Sequence, residues 1–353
     1  MTTTTTRTDT TGRSGTDASR SSRVPALFVA GITACVSGVA VFVNAYAVHS
    51  VRQPAVYTTA KNVVAAMVLV TGSALVTWRR RRSGGERPSG TIAAPITLVT
   101  PATPAAPATP SLAARLGRWA ALAYVGVVGG GVAFILFFVG LAKTTAEPAA
   151  FLHDTLVVWV ALLAVAFIRE RSSMWNLAAI VLLVGGQTAV VGGIGHLVVG
   201  EGQLLVLMAT LLWAVETVLA KWLLASVAPA RLGRLRMAVG AVVLVGYLGV
   251  RGQLGDLVSL HGSQLGWVLL TGGLLSAYVA TWMVALARAR AVDVTSVLVG
   301  SVLVTALCQA AAGKATTVLE GVGLALVGVG VLAAARALPR PAPAPWPAPS
   351  TAP

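Results

Sequence analysis

Ten stretches of this chain are apolar over about the length of a membrane-spanning helix. A helix needs about 20 apolar residues to cross the hydrocarbon core of a bilayer. With edges good to a few residues, the stretches are 26–48, 59–78, 119–141, 149–168, 175–193, 204–224, 235–250, 265–286, 294–312 and 317–337. The sequence therefore predicts an all-α integral membrane protein with ten transmembrane helices, of which the seventh is the shortest.

Composition excludes a soluble enzyme of this length. Of the 353 residues, 56% are hydrophobic and 10% are charged, whereas soluble domains carry roughly 25% charged residues. The formal net charge of +15 would suit nucleic acid, but the bases lie at the ends of the apolar stretches, as membrane orientation requires. We therefore expect the lipid bilayer as a partner and no nucleic acid.

Three segments lack the patterns of regular structure. Residues 1–24 are rich in Thr, Ser and Gly and predict a disordered tail. Residues 83–113 are rich in Pro, Ala, Thr and Gly and predict a low-complexity linker, and residues 338–353 form a Pro/Ala-rich tail.

The positions of the basic residues predict the orientation. With the N-terminus in the cytoplasm and ten spans, 21 of the 26 Lys and Arg residues fall on the inner side and five on the outer side. Cytoplasmic loops carry such an excess of Lys and Arg. The sequence thus predicts a multi-pass protein of the cell (plasma) membrane with both termini, and the linker 83–113, in the cytoplasm.

An internal repeat divides the spans into two sets of five. The segment 140–151 aligns with 285–296 at a shift of 145, and the same shift carries 182–186 onto 327–331. We predict a first repeat at 25–193 and a second at 203–337. Because five is odd, the two repeats would be inverted, which is the architecture of alternating-access transporters with a site at mid-membrane.

Two segments resemble a known family. They are LLWAV at 211–215, which opens the second repeat, and VAFIRERSSMWNLAAIVLLVGG at 165–186, where a fourth span ends at Arg-Glu-Arg and a Gly-containing fifth span begins. Together with the paired five-span halves, they resemble the EamA-type proteins of the drug/metabolite transporter superfamily. CVSGVA at 35–40 stands where that family often has a Trp-Gly pair. The resemblance implies a transporter fold and leaves the substrate open.

Glu216 is the most informative polar residue in the predicted spans. A charged side chain near the bilayer centre is costly and usually faces a cavity or a partner. Trp213, Glu216 and Thr217 share one face of the sixth span at i, i+3, i+4 spacing. We predict that this face binds a substrate or a proton; the alternative is a structural pair between Glu216 and a buried donor.

His153 and Asp154 lie in the outer half of the fourth span. Both are candidates for lining the cavity, and the alternative for each is an ordinary interhelical hydrogen bond. Neighbouring side chains point in different directions on a helix, so we do not expect the two to form one site.

A polar stripe in the ninth span and two aromatic residues in the eighth complete the predicted substrate site. Ser301, Thr305 and Gln309 follow each other at i, i+4, i+8 spacing. Tyr278 and Trp282 are the weaker candidates. Alternatively, Ser and Thr join helices by hydrogen bonds and the aromatic residues belong to an interfacial belt.

Four charged residues predict a gate at each mouth of the cavity. Lys61 would pair with Glu147 or Asp154 outside, and Arg236 with Asp293 inside. Ion pairs that form and break would bias which mouth is open. The alternative is that Glu147 and Asp293 only stabilise helix starts.

These patterns predict a secondary active transporter, an exporter of a small polar or amphipathic metabolite, with protons as a candidate coupling ion. Small residues on the fifth and tenth spans offer a homodimer contact. Two alternatives stay open: an intramembrane enzyme, and a lipid-handling or scaffold protein. No catalytic residue, metal or cofactor is predicted, since the sequence has no P-loop, HExxH or Gly-x-Ser-x-Gly motif.

Overall fold

The computed structural model describes residues 14–51, 53–82, 111–144, 146–170, 174–191 and 200–336. Over these ranges the chain is helical and contains no strand. Most of the predicted tails and linker lie outside the described residues. Residues 14–24, predicted to be disordered, are part of the first helix. A helix, once nucleated by its apolar part, gains a hydrogen bond for each further residue.

Fourteen α-helices are described, and a π-helical segment, Tyr124–Val132, joins α3 to α4. The bounds are α1 Ser14–Ala47, α2 Pro54–Arg82, α3 Leu112–Ala123, α4 Ala133–Leu141, α5 Ala146–Asp154, α6 Leu156–Phe167, α7 Met174–Val190, α8 Glu201–Leu223, α9 Pro229–Val250, α10 Leu254–Val258, α11 Ser263–Arg288, α12 Ala291–Val299, α13 Ser301–Ala311 and α14 Val318–Arg336.

Nine helices in the described part of the chain are long and apolar enough to cross a membrane. Each coincides with one of the ten predicted spans. The remaining span corresponds to α7, an apolar helix of 17 residues. The chain is therefore a multi-pass helical membrane protein.

The seventh predicted span is longer than its apolar stretch. Helix α9 begins at Pro229 and has 22 residues, whereas the apolar pattern begins at 235. Three arginines in the first two turns of α9 interrupt the apolar pattern, so the pattern begins late. Proline at the first helical position nevertheless favours a helix start at 229. As a result Arg236 lies inside the helix, and its exposed fraction is 7%.

Two of the helical spans are broken at matching places. The fourth span is interrupted at Thr155, between α5 and α6, and the ninth at Gly300, between α12 and α13. These positions differ by 145, which is the shift of the sequence repeat. A shared break point is a feature that the apolar composition alone does not require.

Helices α7 and α14 pack closely against each other through glycines. A Cβ built on Gly186 would lie 2.7 Å from the carbonyl oxygen of Gly323, so only small residues allow this approach. Gly186, a predicted dimer residue, is therefore used within the chain. Gly185 and Gly321 have open space around them, and Gly192 and Gly193 lie outside the described residues.

Candidate functional site

A large cavity extends from one end of the helix bundle to its middle. It has a volume of about 1070 Å³ and is lined by the second half of α1, the first turns of α2, the last turns of α4, and parts of α5, α8, α11 and α13. Residues of the α13–α14 loop also line it. We call this end of the bundle the open end, and the opposite end, which contains 168–170, 224–228 and 289–290, the closed end.

Glu216 and Arg236 form a buried ion pair at the floor of this cavity. Arg236 Nε donates to Glu216 Oε1 and Arg236 Nη2 donates to Oε2 at 3.0 Å. The side chains are 6% and 9% exposed, respectively. Sequence reasoning left open whether Glu216 faces a cavity or a buried donor, and the structure gives it both.

The carbonyl oxygen of Gly129 in the π-helical segment binds the same two helices. It accepts hydrogen bonds from Arg236 Nη2 at 3.2 Å and from Trp213 Nε1 at 3.0 Å. This approach depends on glycines at the crossing with α9, since a Cβ on Gly240 would lie 2.2 Å from the Gly130 oxygen. π-helical turns are often found at functional sites.

Trp213 is the centre of an aromatic cluster in the cavity wall. Its ring centroid lies 5.2 Å from that of Phe134 and 5.4 Å from those of Phe137 and His153. Thr217, one turn further along α8, donates to the Trp213 carbonyl and is 5% exposed. The predicted face of Trp213, Glu216 and Thr217 thus lines the cavity.

His153 and Asp154 are closer than predicted. His153 Nδ1 lies 3.7 Å from Asp154 Oδ1, and both line the cavity. The expectation that they would not belong to one site was wrong, since the two side chains contact each other and line the same cavity. Asp154 Oδ2 also accepts a hydrogen bond from Gln187 Nε2 on α7.

The polar stripe and the aromatic pair of the second half also reach the cavity. Ser301, Thr305 and Gln309 line it, and Thr305 Oγ1 donates to the carbonyl of Gly38 on α1 at 3.0 Å. Thr305 therefore joins two helices in addition to lining the cavity. Tyr278 and Trp282 stack with ring centroids 6.1 Å apart and also face the cavity.

Lys61 has a different environment from the one predicted. It is 6% exposed, and its Nζ donates to Asn44 Oδ1 at 3.2 Å. The predicted pair with Asp154 is absent, since the acid is bound to Gln187 and His153. The other predicted partner, the side chain of Glu147, lies outside the described residues.

Asp293 is at the closed end, and its partner is not the predicted Arg236. Arg290 Nε and Nη2 donate to Asp293 Oδ2 and Oδ1 at 2.8 and 2.7 Å. Asn176 Nδ2 donates to Oδ1 at 3.2 Å. The predicted Arg236–Asp293 pair is absent because Arg236 lies at the floor of the cavity, where it is paired with Glu216.

Two further groups connect the helices at the closed end. Lys221 Nζ donates to the carbonyls of Leu286 and Ala289, at 2.9 and 2.6 Å, where α11 ends. Glu170 Oε1 accepts the backbone N–H of Ala291, where α12 begins, at 3.2 Å. Glu170 is 5% exposed, and this burial raises the pKa of its carboxyl above the usual 4.5.

Sequence reasoning missed several members of these sites. Asn44, Gln187 and Asn176 are amides inside apolar spans, and that isolation was a usable signal. Glu170 was seen only as a charge in the loop after the fourth span. For the Gly129 carbonyl, the sequence feature that could have indicated a close helix contact is the Gly-Gly-Gly run at 129–131. In the described part of the chain, no group of three or more His, Cys, Asp or Glu side chains could hold a metal ion.

Comparison with known proteins gives two findings and one absence. A family model described as the EamA-like transporter family matches residues 24–192 and 200–336. No curated protein matches the sequence significantly. Among solved structures, 28 chains match. One crystal structure has a TM-score of 0.62 at 15% sequence identity, covering 87% of this chain and 98% of that chain; at this identity the likeness shows the fold alone.

Proposed function

The chain belongs to the EamA-like transporter family, within the drug/metabolite transporter superfamily, and we propose that it is a secondary active transporter that exports a small polar or amphipathic metabolite by alternating access. The observation that carries this proposal is the cavity of about 1070 Å³, which reaches from the open end to a buried ion pair at mid-membrane. A site at this depth is where alternating-access transporters bind their substrate.

The proposed topology has ten spans in two inverted repeats. The matching breaks at Thr155 and Gly300 support it. So do the two ranges matched by the family, which follow the boundaries predicted for the repeats. If both termini are in the cytoplasm, the N-terminal half of α1 lies on the inner side of the plasma membrane. The second half of α1 lines the cavity, so the open end faces outward. In this reading the described conformation is the one that releases substrate.

The closed end is the proposed inner gate, in place of the predicted Arg236–Asp293 pair. Lys221 binds the end of α11, and Glu170 binds the start of α12. Asp293, at that start, pairs with Arg290 and accepts a hydrogen bond from Asn176 on α7. Opening this end would expose these groups to water, which replaces their hydrogen bonds. The gate is thus a set of contacts whose loss is compensated by hydration.

Glu216 and Arg236 are the proposed coupling pair. A substrate or a proton that binds one partner would weaken the bond between the two, since each charge is stabilised mainly by the other in this buried place. Binding at the site would then loosen the contact between α8, which carries Glu216, and α9, which carries Arg236. His153, which lines the same cavity and is 5.4 Å from Trp213, is a second candidate for binding a proton.

The test compares metabolites in the medium and in the cytosol, with and without expression of the protein. Export of at least one compound should require the wild-type chain and fall strongly in Glu216→Gln at equal membrane abundance. Glu201→Gln is the matched control, since Glu201 is on the same helix but exposed. If no compound depends on expression, the export proposal is wrong. If Glu216→Gln exports normally at every pH, Glu216 has a structural role only.

A further inference from the structure

Lys61 is a buried cation in the cavity wall. It lies on α2 with an exposed fraction of 6% and lines the cavity. Its Nζ donates to Asn44 Oδ1 at 3.2 Å, and the hydroxyl of Tyr57 donates to the same oxygen at 2.5 Å. An amide oxygen has two lone pairs, so Asn44 has no acceptor capacity left for a further donor.

The hydrogen-bonding capacity of Lys61 is only partly used. An ammonium group has three N–H donors, and one of them goes to Asn44. Among the described side chains, no carboxylate oxygen lies within 4.0 Å of Nζ. A buried charge without a counter-charge is costly, and an anion that binds beside Nζ would supply that counter-charge.

The other buried charges of the cavity already have partners. Glu216 and Arg236 neutralise each other, and Asp154 accepts from Gln187 and lies 3.7 Å from His153. Among the described residues that line the cavity, Lys61 is therefore the buried cation that is open to a ligand, whereas Lys314 lies at the exposed mouth. A single ammonium matches a monoanion better than a phosphate, which binds best where several donors or a guanidinium fork converge.

Aromatic rings surround Lys61 and continue into the cavity. Nζ lies 4.3 Å from the ring centroid of Phe138 and 5.1 Å from that of Tyr57. These faces stabilise the cation in part. Phe137 and Trp213 extend the same wall toward the floor of the cavity. A ligand bound at Lys61 would therefore place its apolar part along aromatic side chains.

From this arrangement, and resting on the proposed transport function, we propose that Lys61 binds the carboxylate of the substrate, and that the substrate class is monoanionic carboxylates with an apolar or aromatic body. Lys61 is then a specificity-determining residue of the site and not half of an outer ion-pair gate. Compounds of the same shape without the negative charge would leave the ammonium unpaired in a buried place.

The first test uses three probes that share one body and differ in charge: 4-phenylbutyrate, 4-phenylbutyramide and 4-phenylbutylamine. Binding to the purified full-length protein is measured from the ligand dependence of its thermal unfolding midpoint. We expect the carboxylate to bind about tenfold or more tightly than the amide, as for gain of a charge-assisted hydrogen bond. Equal binding of the three, stronger binding of the amine, or no binding of the carboxylate would overturn the proposal.

Variants of Lys61 supply the second test. Lys61→Met keeps the length of the side chain and should remove the preference for the carboxylate, whereas Lys61→Arg keeps the charge and should retain most of it. Lys314→Met is the matched control, a lysine at the exposed mouth of the same cavity. A carboxylate preference that survives in Lys61→Met contradicts the assignment; because the first test needs no variant, misfolding of Lys61→Met leaves the proposal testable.

The export experiment separates this proposal from the proposed function. If the wild-type chain exports compounds that carry no anionic group, export stands and the Lys61 assignment is wrong. If it exports nothing, the export proposal fails, and carboxylate binding by the purified protein remains a separate result. If the exported compounds are carboxylates whose export falls in Lys61→Met, both are supported.

Discussion

The charged pairs at the two ends of the helix bundle differ in how deeply they are buried. At the closed end, Arg290 pairs with Asp293, and the two side chains are 7% and 10% exposed, respectively. At the other end, Lys143 and Glu201 join α8 to the segment after α4 with side chains 44% and 70% exposed. Exposed pairs contribute little because water competes for both charges, whereas breaking a buried pair is costly. The Arg290–Asp293 pair is local to the start of α12, and buried polar contacts from Asn176 and Glu170 to that start join it to the rest of the closed end.

The sharpest test of this comparison neutralises one acid at each end. Asp293→Asn removes the charge that compensates a buried guanidinium and should lower the free energy of unfolding by about 3–5 kcal/mol. Glu201→Gln makes the same chemical change in an exposed pair and should change it by less than about 1 kcal/mol. Thermal or denaturant unfolding in detergent measures both. Similar losses from the two variants would contradict the assigned difference.

A smaller effect is expected from the lysines at the two ends. Lys221→Met removes the donor to two carbonyls where α11 ends and should destabilise the protein by about 2 kcal/mol, within the range for a hydrogen bond to a charged group. Lys314→Met, at the exposed mouth, should change stability by less than about 0.5 kcal/mol. The same unfolding measurement applies, and a neutral Lys221→Met would remove that residue from the proposed gate.

The smallest expected effect is a pH dependence of the closed end. Burial raises the pKa of Glu170, so its carboxyl binds a proton more tightly when the end is closed than when water reaches it. Closure is therefore favoured below the ordinary pKa of 4.5, and this contribution is lost as pH rises through the raised pKa. Each tenfold difference in proton affinity is worth about 1.4 kcal/mol.

The charged neighbours of Glu170 at this end are Lys221 and Asp293, and Glu170→Gln removes the titrating group while leaving both. The pH dependence is read from the reactivity of a cysteine placed at Ser226, beside the closed end, in wild-type and Glu170→Gln backgrounds. A slope that persists in Glu170→Gln would assign the proton to another group.

The membrane spans were predictable from the sequence, whereas the contact partners of the charged side chains were not. Bilayer thickness imposes a length on every span, so the apolar stretches matched nine long helices and α7 to within a few residues. Two spans begin earlier than predicted: the third begins at Leu112 instead of 119, and α9 begins at Pro229 instead of 235, so that the predicted inner start, Arg236, lies well within the helix. Its partner Glu216 is 20 residues away on a different helix, and only the packing of α8 against α9 brings the two together.

Local geometry was the second limit of sequence reasoning. His153 Nδ1 lies 3.7 Å from Asp154 Oδ1 although the two residues are neighbours on α5, because a helical projection gives the direction of a side chain but not its rotamer. The Gly129 carbonyl is a similar case, since a π-helical segment, and not a side chain, places it between Trp213 and Arg236. Candidate residues were thus found by type, while their contacts needed the fold.

The most direct measurement of the central claim, access to one site from both sides, uses a cysteine at the cavity floor. Thr217→Cys is placed in a background with Cys35 and Cys308 changed to Ser and treated with a membrane-impermeant thiol reagent, in right-side-out and in inside-out vesicles. Cysteines at Ser259 and Ser226, exposed in loops at opposite ends of α9, report each side. Position 259 should react only from outside, position 226 only from inside, and position 217 from both. Reaction of position 217 from one side only, with both controls as expected, would contradict alternating access.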